Sequence, residues 1–250
     1  MNKRGANYGI DAPKLVLWFL LIGVAGLGLA AALACFQFSW RRFLIWPIAC
    51  VGAEFLLQAG VMLWGSKVGK LRLRDKFIAS IAWRGDEKVL DVGCGHGLML
   101  IGAARQLRSG RAIGLDLWQK EDQAGNSREA TLQNAEAENV ADRVELRDGD
   151  ARRMPFADSE FDVVLSSWAL HNIYDRAGRD DAMREIARVL KPGGRMIIVD
   201  IRHAREYANV LRQAGFSDIQ ISGPNFLFVI PTLTLKANKL SAGGAKTGSR

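Results

Sequence analysis

The chain has 250 residues, of which 49% are hydrophobic and 24% are charged. A chain of this size and composition can bury one full α/β core and still has a substantial segment left over. Its three cysteines, Cys35, Cys50 and Cys94, are too few and too scattered for a disulfide framework or a zinc site. The sequence therefore predicts a protein of a reducing compartment, without a metal site.

The formal net charge of +8 is unevenly distributed along the chain. Of the 26 acidic residues, only Asp11, Glu54 and Asp75 precede residue 85, so the basic excess lies in the N-terminal third and in the tail. The globular part between them is mildly acidic, whereas a nucleic-acid-binding domain carries its basic face on the folded part. The charge pattern therefore argues against nucleic acid as a partner and favours an anionic lipid surface.

Two long apolar segments follow a polar N-terminus, residues 1–14, which is expected to be poorly ordered. Leu15 to Phe38 contains no charged side chain and is long enough to cross a bilayer core. Phe43 to Trp64 is of similar length but contains Pro47 near its start. We predict a two-helix transmembrane hairpin with helices over 15–38 and 43–64.

Four residues of this hairpin carry more specific expectations. Gly28 and Ala32 offer a face of small residues for close helix contact, and hence for a helix-mediated homo-oligomer. Glu54 and Gln58 lie one turn apart in the middle of the second segment, where a buried carboxylate is costly. Either these two polar side chains face the first helix or a substrate entry path, or the hairpin is partly interfacial.

The basic residues predict how the hairpin is oriented, because they concentrate on the cytoplasmic side. They are more numerous outside the hairpin than between its helices: Lys3, Arg4 and Lys14 before it, Lys67, Lys70, Arg72, Arg74 and Lys76 after it, and Arg41 and Arg42 between. Both ends of the hairpin, and the domain that follows, are thus expected in the cytoplasm. Residues 65–84 predict a basic amphipathic linker helix, which either lies on anionic headgroups or packs on the domain.

The stretch Lys88-Val-Leu-Asp-Val-Gly-Cys-Gly-His-Gly97 predicts a ligand site. Its apolar run is typical of a strand buried on both faces of a parallel sheet, and its glycines allow a sharp turn that exposes backbone N–H groups. A helix follows, whose N-terminus attracts negative charge. A dinucleotide fingerprint requires glycine at position 98, where this chain has Leu98, and Asp91 suits a ligand that carries a cation.

With this loop the chain resembles the class I S-adenosylmethionine-dependent methyltransferases, whose first motif is Asp-x-Gly-x-Gly-x-Gly after a buried strand. Four further stretches extend the resemblance in order: Ala112-Ile-Gly-Leu-Asp116, Asp148-Gly-Asp150-Ala151, Phe161-Asp-Val-Val-Leu-Ser-Ser167 and Val189-Leu-Lys-Pro-Gly-Gly-Arg-Met-Ile-Ile-Val-Asp200. Helices are expected over 97–108, 127–139, 179–191 and 204–214, and two closing strands over Ile219 to Ser222 and Phe226 to Leu235. The predicted fold is a doubly wound, Rossmann-like α/β domain over 85–238 with a seven-stranded, mostly parallel sheet, followed by a disordered basic tail over 239–250.

The resemblance implies S-adenosylmethionine as the cofactor and a set of residues that bind it. It places Asp91 and the glycine loop near the methionine and sugar parts of the ligand, Asp116 on the ribose, and Asp150 with Ala151 on the adenine. The predicted cofactor-binding residues are Asp91, Gly93, Cys94, Gly95, Gly97, Asp116, Leu117, Asp150, Ala151 and Ser167. The three aspartates equally suit a role in capping helices or turns at strand ends.

The acceptor side offers weaker signals. His171 follows the fourth strand, at the edge of the sheet where ligands of open α/β sheets bind, and is a candidate general base. A helix-capping or structural histidine is the alternative. His203 and Tyr207, after the fifth strand, are further candidates, and the polar stretch from Gln119 to Ser127 suggests a lid.

The motifs most resemble the methyltransferase type 11 branch, which includes the ubiquinone and menaquinone biosynthesis C-methyltransferases. The resemblance covers roughly residues 85–200 and is specific to cofactor and fold, whereas the hairpin departs from that soluble branch. The expected function is methyl transfer, at a membrane, to a small lipophilic acceptor such as a quinone, a lipid or a thiol. A soluble metabolite or a protein as acceptor, or a silent scaffold that binds the cofactor, are the alternatives.

Overall fold

The computed structural model of the chain describes residues 5–119, 125–226 and 231–241. These residues form two compact units. One is a helical hairpin over Gly9–Lys70, and the other comprises the N-terminal residues through Tyr8 together with the chain from Leu71 onward. The boundary between hairpin and domain therefore lies near residue 70, inside the predicted linker segment 65–84, and the greater part of that segment belongs to the domain unit.

In the hairpin unit, α1 (Pro13–Ala34) packs along α2 (Arg41–Trp64). The two helices come closest where Gly23 and Gly26 meet Gly52, since a Cβ at Gly52 would lie 2.9 Å from the backbone nitrogen of Leu27. The predicted small-residue face at Gly28 is not this contact, because no atom lies within 4 Å of the position that a Cβ on Gly28 would take. By length and composition alone, both helices are long and apolar enough to cross a membrane.

Glu54, in the middle of α2, points away from α1. Glu54 is exposed, and its Oε1 accepts a hydrogen bond of 3.1 Å from Nε2 of Gln58 one turn later. Gly52 and Ala59, on the opposite side of the helix, are the buried residues of α2. The expectation that Glu54 faces the first helix is therefore wrong, because that side of α2 is occupied by small residues in close helix contact.

A π-helical turn over Gly65–Gly69 follows α2 and leads into α3 (Lys70–Ala79). The apolar face of α3 lies in the core of the domain, where Leu73, Phe77 and Ile78 are buried against the sheet-covering helices. A helix that lies on lipid must offer its apolar face to the bilayer. Of the two alternatives for the predicted linker helix, packing on the domain is thus the one that the structure supports.

The domain contains a seven-stranded sheet in the order β3-β2-β1-β4-β5-β7-β6. The strands are β1 (Lys88–Val92), β2 (Arg111–Asp116), β3 (Val144–Asp148), β4 (Phe161–Ser167), β5 (Leu190–Asp200), β6 (Phe216–Asn225) and β7 (Thr232–Lys239). The first five strands are parallel, and β7 is antiparallel to both β5 and β6. The order reverses between β1 and β4, which is where ligands of such sheets bind, and the predicted fold class is confirmed.

Four further helices cover the sheet: α4 (Leu98–Ala104), α5 (Arg128–Ala137), α6 (Arg176–Val189) and α7 (Ala204–Gln213). Two of their ends differ from the sequence prediction by three residues or more. α4 ends early because the carbonyl of Gly85 accepts from the backbone N–H groups of residues 108–110. α6 begins three residues early because the Asp175 side chain caps it, accepting 2.6 Å from the N–H of Gly178.

The N-terminal residues 5–8 are ordered on the domain, contrary to the expectation of a poorly ordered segment. Asn134 of α5 holds the backbone of Asn7 on both sides, accepting from its N–H at 2.7 Å and donating to its carbonyl at 3.0 Å. The Tyr8 ring is buried in the same core as Leu73 and Phe77. The sequence did not reveal this contact because a single asparagine far along the chain makes it. Residues 242–250 of the predicted tail lie outside the described residues.

The burial of α3 predicts the effect of truncating its central aromatic residue. Phe77 is 5% exposed, so Phe77→Ala in the full chain is expected to destabilise the domain by about 3–5 kcal/mol. Chemical denaturation in detergent, followed by the fluorescence of the domain tryptophans, measures this loss. The matched control is Lys76→Ala, an exposed neighbour in the same helix, which is expected to change stability by less than about 0.5 kcal/mol. Equal stability of both variants would contradict the placement of α3 in the core.

Candidate functional site

The glycine loop between β1 and α4 binds its own neighbours with most of its backbone N–H groups. Gly93 and Cys94 both donate to the carbonyl of Leu115, at 2.8 and 3.2 Å, and Gly97 donates 2.8 Å to the carbonyl of Cys94. Gly95 donates 2.8 Å to Oδ2 of Asp116. The expectation that the loop exposes these N–H groups to a ligand is therefore wrong, because strand β2 and its terminal carboxylate accept from them.

Gly93 determines which segment lies beside this loop. Its φ of +69° is in the left-handed region that favours glycine, and a Cβ there would overlap the Cβ of Ala169. The segment after β4 therefore packs directly against the turn after β1. This contact brings the chain that carries His171 to the same edge of the sheet as the glycine loop.

Two carboxylates of neighbouring strands lie at the loop. Asp91, at the end of β1, is 1% exposed, and its Oδ2 accepts 2.8 Å from the N–H of Leu100 in α4. Asp116, at the end of β2, accepts at Oδ1 from the N–H of Trp118 at 2.7 Å and from Nδ2 of Asn126 at 3.2 Å. Burial raises the pKa of Asp91 to about 7, and the nearby negative charge of Asp116 adds to this shift.

Three buried side-chain atoms around the loop lack a hydrogen-bond partner in the part of the chain that the structure describes: Oδ1 of Asp91, Nδ1 of His96 and Oδ1 of Asn126. All three are acceptors when the Asp91 carboxyl is ionised. Nε2 of His96 lies 3.1 Å from the carbonyl of Gly125 and must donate to it, which leaves Nδ1 of the neutral ring as an acceptor. The amide nitrogen of Asn126 already donates to Asp116. A ligand that satisfies these atoms must bring donors.

This donor requirement tests the cofactor that the resemblance implies. S-adenosylmethionine carries an ammonium group, a ribose diol and a positive sulfonium, which are donors or cationic groups, so the residues present fit it. The pyrophosphate of a dinucleotide offers acceptors alone and needs free N–H groups, which this loop has largely committed to its own chain. The geometry thus agrees with the absence of glycine at position 98.

Two carboxylates follow β3, and both have protein partners. Asp150 forms a bidentate pair with Arg152, at 2.9 Å to Nε and 2.6 Å to Nη2, and this guanidinium lowers the pKa of the Asp150 carboxyl. Asp148 accepts 2.7 Å from Nε1 of Trp118. The indole of Trp118 is therefore tied to the end of β3, and the predicted adenine-binding residue Ala151, three positions after Asp148, is half-buried.

The remaining predicted cofactor residues differ in how they are placed. The Cys94 side chain is buried in the core, where burial raises the pKa of its thiol, so any contact with the cofactor is left to its backbone. Leu117 is 51% exposed, directly after β2. Ser167 is half-buried at the end of β4. Within the suggested lid, Gly125 to Ser127 are described, with Asn126 buried on Asp116, whereas residues 120–124 lie outside the described residues.

Of the three catalytic candidates, His171 has the arrangement of a general base. It lies in a 3₁₀ turn over Leu170–Asn172, and its Nδ1 is 2.6 Å from Oδ1 of Asp200 at the end of β5. Because a carboxylate can accept but not donate, Nδ1 carries the proton, and in the neutral ring Nε2 has the lone pair. The His171 side chain remains 19% exposed, while Asp200 is buried.

Tyr207 and His203 are placed differently. Tyr207 is 1% exposed, and its hydroxyl donates 3.3 Å to Oδ2 of Asp200, so it orients the carboxylate and does not reach a ligand itself. Burial and the Asp200 charge raise the pKa of this hydroxyl. His203 pairs with Glu206 at 3.1 Å, and Glu206 in turn binds the buried guanidinium of Arg179 at 3.0 Å.

Sequence reasoning missed the partner residues of the site. Asp200, His96, Asn126 and Asn134 each contact a chain segment that is remote in sequence, and no periodicity or spacing marks them. The order of the motifs offered one signal for Asp200. It ends the strand beside β4, so its carboxylate must lie at the same edge of the sheet as His171.

Known methyltransferases are similar to this chain in sequence and in fold. A family model described as "Methyltransferase domain" covers residues 90–198. The chain is 32% identical to a demethylmenaquinone methyltransferase of Symbiobacterium thermophilum, over 66% of this chain and 60% of that protein. It is 33% identical to the chloroplastic 2-phytyl-1,4-beta-naphthoquinone methyltransferase of Arabidopsis thaliana, over 56% of this chain and 52% of that protein. The match thus spans between half and about three fifths of the length of these relatives.

Among solved structures, an S-adenosylmethionine-dependent methyltransferase from Aquifex aeolicus superposes with a TM-score of 0.53. The superposition covers 70% of this chain and 94% of that one, at 16% sequence identity. At this identity the likeness concerns the fold, which is the seven-stranded arrangement described above.

The raised pKa of Asp91 predicts a pH dependence of cofactor binding. The ionised carboxylate attracts a cationic ligand and the protonated one does not, so the affinity for S-adenosylmethionine is expected to rise with pH, by up to about tenfold per pH unit below a pH of about 7. Calorimetric titration at several pH values measures this slope. In Asp91→Asn the slope is expected to disappear along with most of the affinity.

Stability of the ligand-free chain follows the opposite trend. Between the ordinary Asp value of 3.8 and about 7, the folded chain holds a proton that the unfolded chain has lost, so the free energy of unfolding falls as the pH rises across this interval. Asp91→Asn removes that contribution. A wild-type affinity that does not change with pH would show that Asp91 does not face the cation.

Proposed function

We propose that this chain, whose residues 90–198 belong to the class I S-adenosylmethionine-dependent methyltransferase family, transfers a methyl group from S-adenosylmethionine to a lipophilic acceptor at a membrane. The family and the cofactor rest on the matching domain model, the named relatives and the fold, and they confirm the resemblance found in the sequence motifs. The acceptor, the membrane anchor and the roles of individual residues are the proposed part.

The observation that carries the proposal is the meeting of two sets of groups at one edge of the sheet. The unpartnered acceptors at the glycine loop suit a donor-rich, cationic cofactor, and the contact between Gly93 and Ala169 brings the His171 segment beside them. Methyl transfer requires both a cofactor held in place and a nucleophile that has lost or can lose a proton. This edge of the sheet brings the proposed cofactor site together with a candidate base for that proton.

When bound, S-adenosylmethionine supplies an activated methyl group whose leaving group departs as a neutral thioether. The protein therefore has no leaving group to protonate. Its task is to position the acceptor and to take up one proton, and Nε2 of His171 holds the free lone pair for that step. Asp200 fixes the ring through the 2.6 Å contact with Nδ1 and stabilises the positive charge that forms on it.

Exposed apolar side chains around this edge support a lipophilic acceptor. Leu117 follows β2 and is 51% exposed, Tyr174 follows β4 and is 95% exposed, and Phe226 follows β6 and is 63% exposed. All three follow strands whose carboxyl ends lie at this edge, because β6 is antiparallel to β7 and therefore parallel to β5. The names of the two relatives described above also specify quinones as acceptors.

The hairpin of α1 and α2 is the proposed anchor. Both helices meet the length and composition for crossing a bilayer, and their outward side chains are predominantly apolar, with Leu17, Trp18, Leu21 and Val24 of α1 exposed. Basic residues are more numerous before α1 and after α2 than between the two helices, which supports a cytoplasmic location for both ends of the hairpin and for the domain. This orientation gives the domain access to a cytosolic cofactor and to acceptors dissolved in the bilayer.

Substitution of the proposed base tests the mechanism. In His171→Gln, kcat is expected to fall by about 10²–10⁴-fold, with calorimetric binding of S-adenosylmethionine unchanged. Asp200→Asn is expected to reduce kcat as well. An amide can donate to Nδ1, which moves the ring proton to Nε2 and removes the lone pair that the proposed base needs. The matched control is His203→Gln, a histidine with a carboxylate partner in the next segment, which is expected to stay near wild-type activity. Loss of activity in the His203 variant alone would transfer the role to that residue.

A panel of acceptors tests the substrate class. Full-length protein reconstituted in vesicles, with cofactor labelled in the methyl group, is expected to label reduced naphthoquinones, benzoquinols or hydrophobic phenols faster than their short-chain, water-soluble analogues. Phe226→Ser is expected to raise KM for the lipophilic acceptor more than for the soluble one, because it removes an exposed apolar side chain at this edge of the sheet. Faster methylation of soluble acceptors would instead favour the alternative that the hairpin serves location alone.

A further inference from the structure

The outward face of α2 carries a regular stripe. Four of its residues recur at alternating steps of four, three and four positions, which is the spacing of a coiled-coil seam over one and a half heptads. They are Cys50, Glu54, Leu57 and Val61. All four are exposed, with Leu57 at 67% and Val61 at 42%. Because Gly52 and Ala59 face α1 on the other side of the helix, this stripe is distinct from the contact inside the hairpin.

The stripe has one polar position. Oε1 of Glu54 accepts 3.1 Å from Gln58, and in the part of the chain that the structure describes, neither Oε2 of Glu54 nor the amide oxygen of Gln58 makes a further hydrogen bond. Polar groups left unsatisfied in the hydrocarbon region are costly, whereas one polar residue in an apolar seam sets the register of a helix pair. The amide of Gln58 can donate and the carboxyl of Glu54 can accept, so a second identical pair can satisfy the groups that the first leaves unpaired.

We propose that the occupant of this stripe is a second copy of the chain, so that α2 helices of two chains pair in the membrane about a two-fold axis along the bilayer normal. In this arrangement Gln58 of each copy reaches Glu54 of the other. Copies inserted in the same orientation run parallel, which places the same residue of each chain side by side along the seam. The proposal rests on the membrane anchoring given above as part of the proposed function.

The seam predicts that two copies of the chain can be cross-linked by oxidation through their natural Cys50 residues. Cys50 lies on the stripe, and Cys35, the other exposed cysteine, lies just after α1 and off the stripe. In a parallel pair the two Cys50 residues come within disulfide reach, which requires Cα atoms less than about 7 Å apart. Full-length Cys35→Ser protein in phosphatidylcholine vesicles, oxidised with copper phenanthroline, is expected to form a disulfide-linked dimer. The matched Cys50→Ser protein, which keeps Cys35, is expected to form no disulfide-linked dimer.

The polar pair is tested in the same assay. In the Cys35→Ser background, Gln58→Leu is expected to lower the association constant of the dimer about tenfold, whereas Glu54→Gln keeps the hydrogen bonds and the dimer. Calorimetric binding of S-adenosylmethionine, unchanged in each variant, shows that the domain is intact. Equal cross-linking through Cys35 and Cys50, cross-linking of Cys50 to a different protein, or a dimer that is indifferent to Gln58 would overturn the seam.

Washing the vesicles with carbonate tests the membrane anchor independently of the dimer. Protein that stays in carbonate-washed vesicles but does not cross-link through Cys50 is anchored without pairing, so the dimer alone is wrong. Protein that washes off the vesicles shows that the proposed membrane anchor itself has failed.

Discussion

Two carboxylates hold the glycine loop in the shape on which the site depends. Asp116 at the end of β2 accepts from the N–H of Gly95, and Asp91 at the end of β1 accepts from the N–H of Leu100 at the start of α4. Because β1 and β2 are adjacent and parallel, both carboxylates reach the same loop from the same edge of the sheet. The N–H groups of the loop are thereby bound to the ends of the neighbouring strands. The groups that remain for a ligand are buried acceptor atoms.

This arrangement decides between the two kinds of ligand that a glycine loop can bind. A loop with free N–H groups at a helix N-terminus binds phosphate. In this loop most N–H groups donate to the protein itself, and an unpartnered carboxyl oxygen is buried beside them. A buried carboxylate is costly without a positive partner, and a cationic ligand removes that cost. The same edge continues through Ala169 to the pair of His171 and Asp200, so cofactor site and candidate base share one framework.

The sequence predicted the central strands well, because β1, β2, β4 and the second half of β5 are short, mostly apolar runs that are largely buried and end at glycine or at a polar residue. It misplaced the two closing strands, since β6 extends beyond the predicted 219–222 at both ends and β7 begins at Thr232 and not at Phe226. It predicted helix ends less well, since these depend on single contacts such as the Gly85 carbonyl beyond α4. It missed the partners of the site for the same reason. Asp200 meets His171 only because β4 and β5 lie side by side in the sheet. Asn134 binds the backbone of residue 7, which is distant from it in the sequence. It did not identify Gly23, Gly26 and Gly52 as the helix contact inside the hairpin, because composition does not say which glycines of a hairpin meet.

The most direct test of the account is calorimetric titration of detergent-solubilised full-length protein with S-adenosylmethionine and, separately, with NADH, in the wild type and in Asp116→Ala. The account predicts that S-adenosylmethionine binds the wild type, that NADH does not, and that loss of the Asp116 carboxylate, which holds Gly95 and Asn126, abolishes most of the binding. Binding of NADH, or binding of S-adenosylmethionine that is indifferent to Asp116, would contradict the assignment of the loop as the cofactor site.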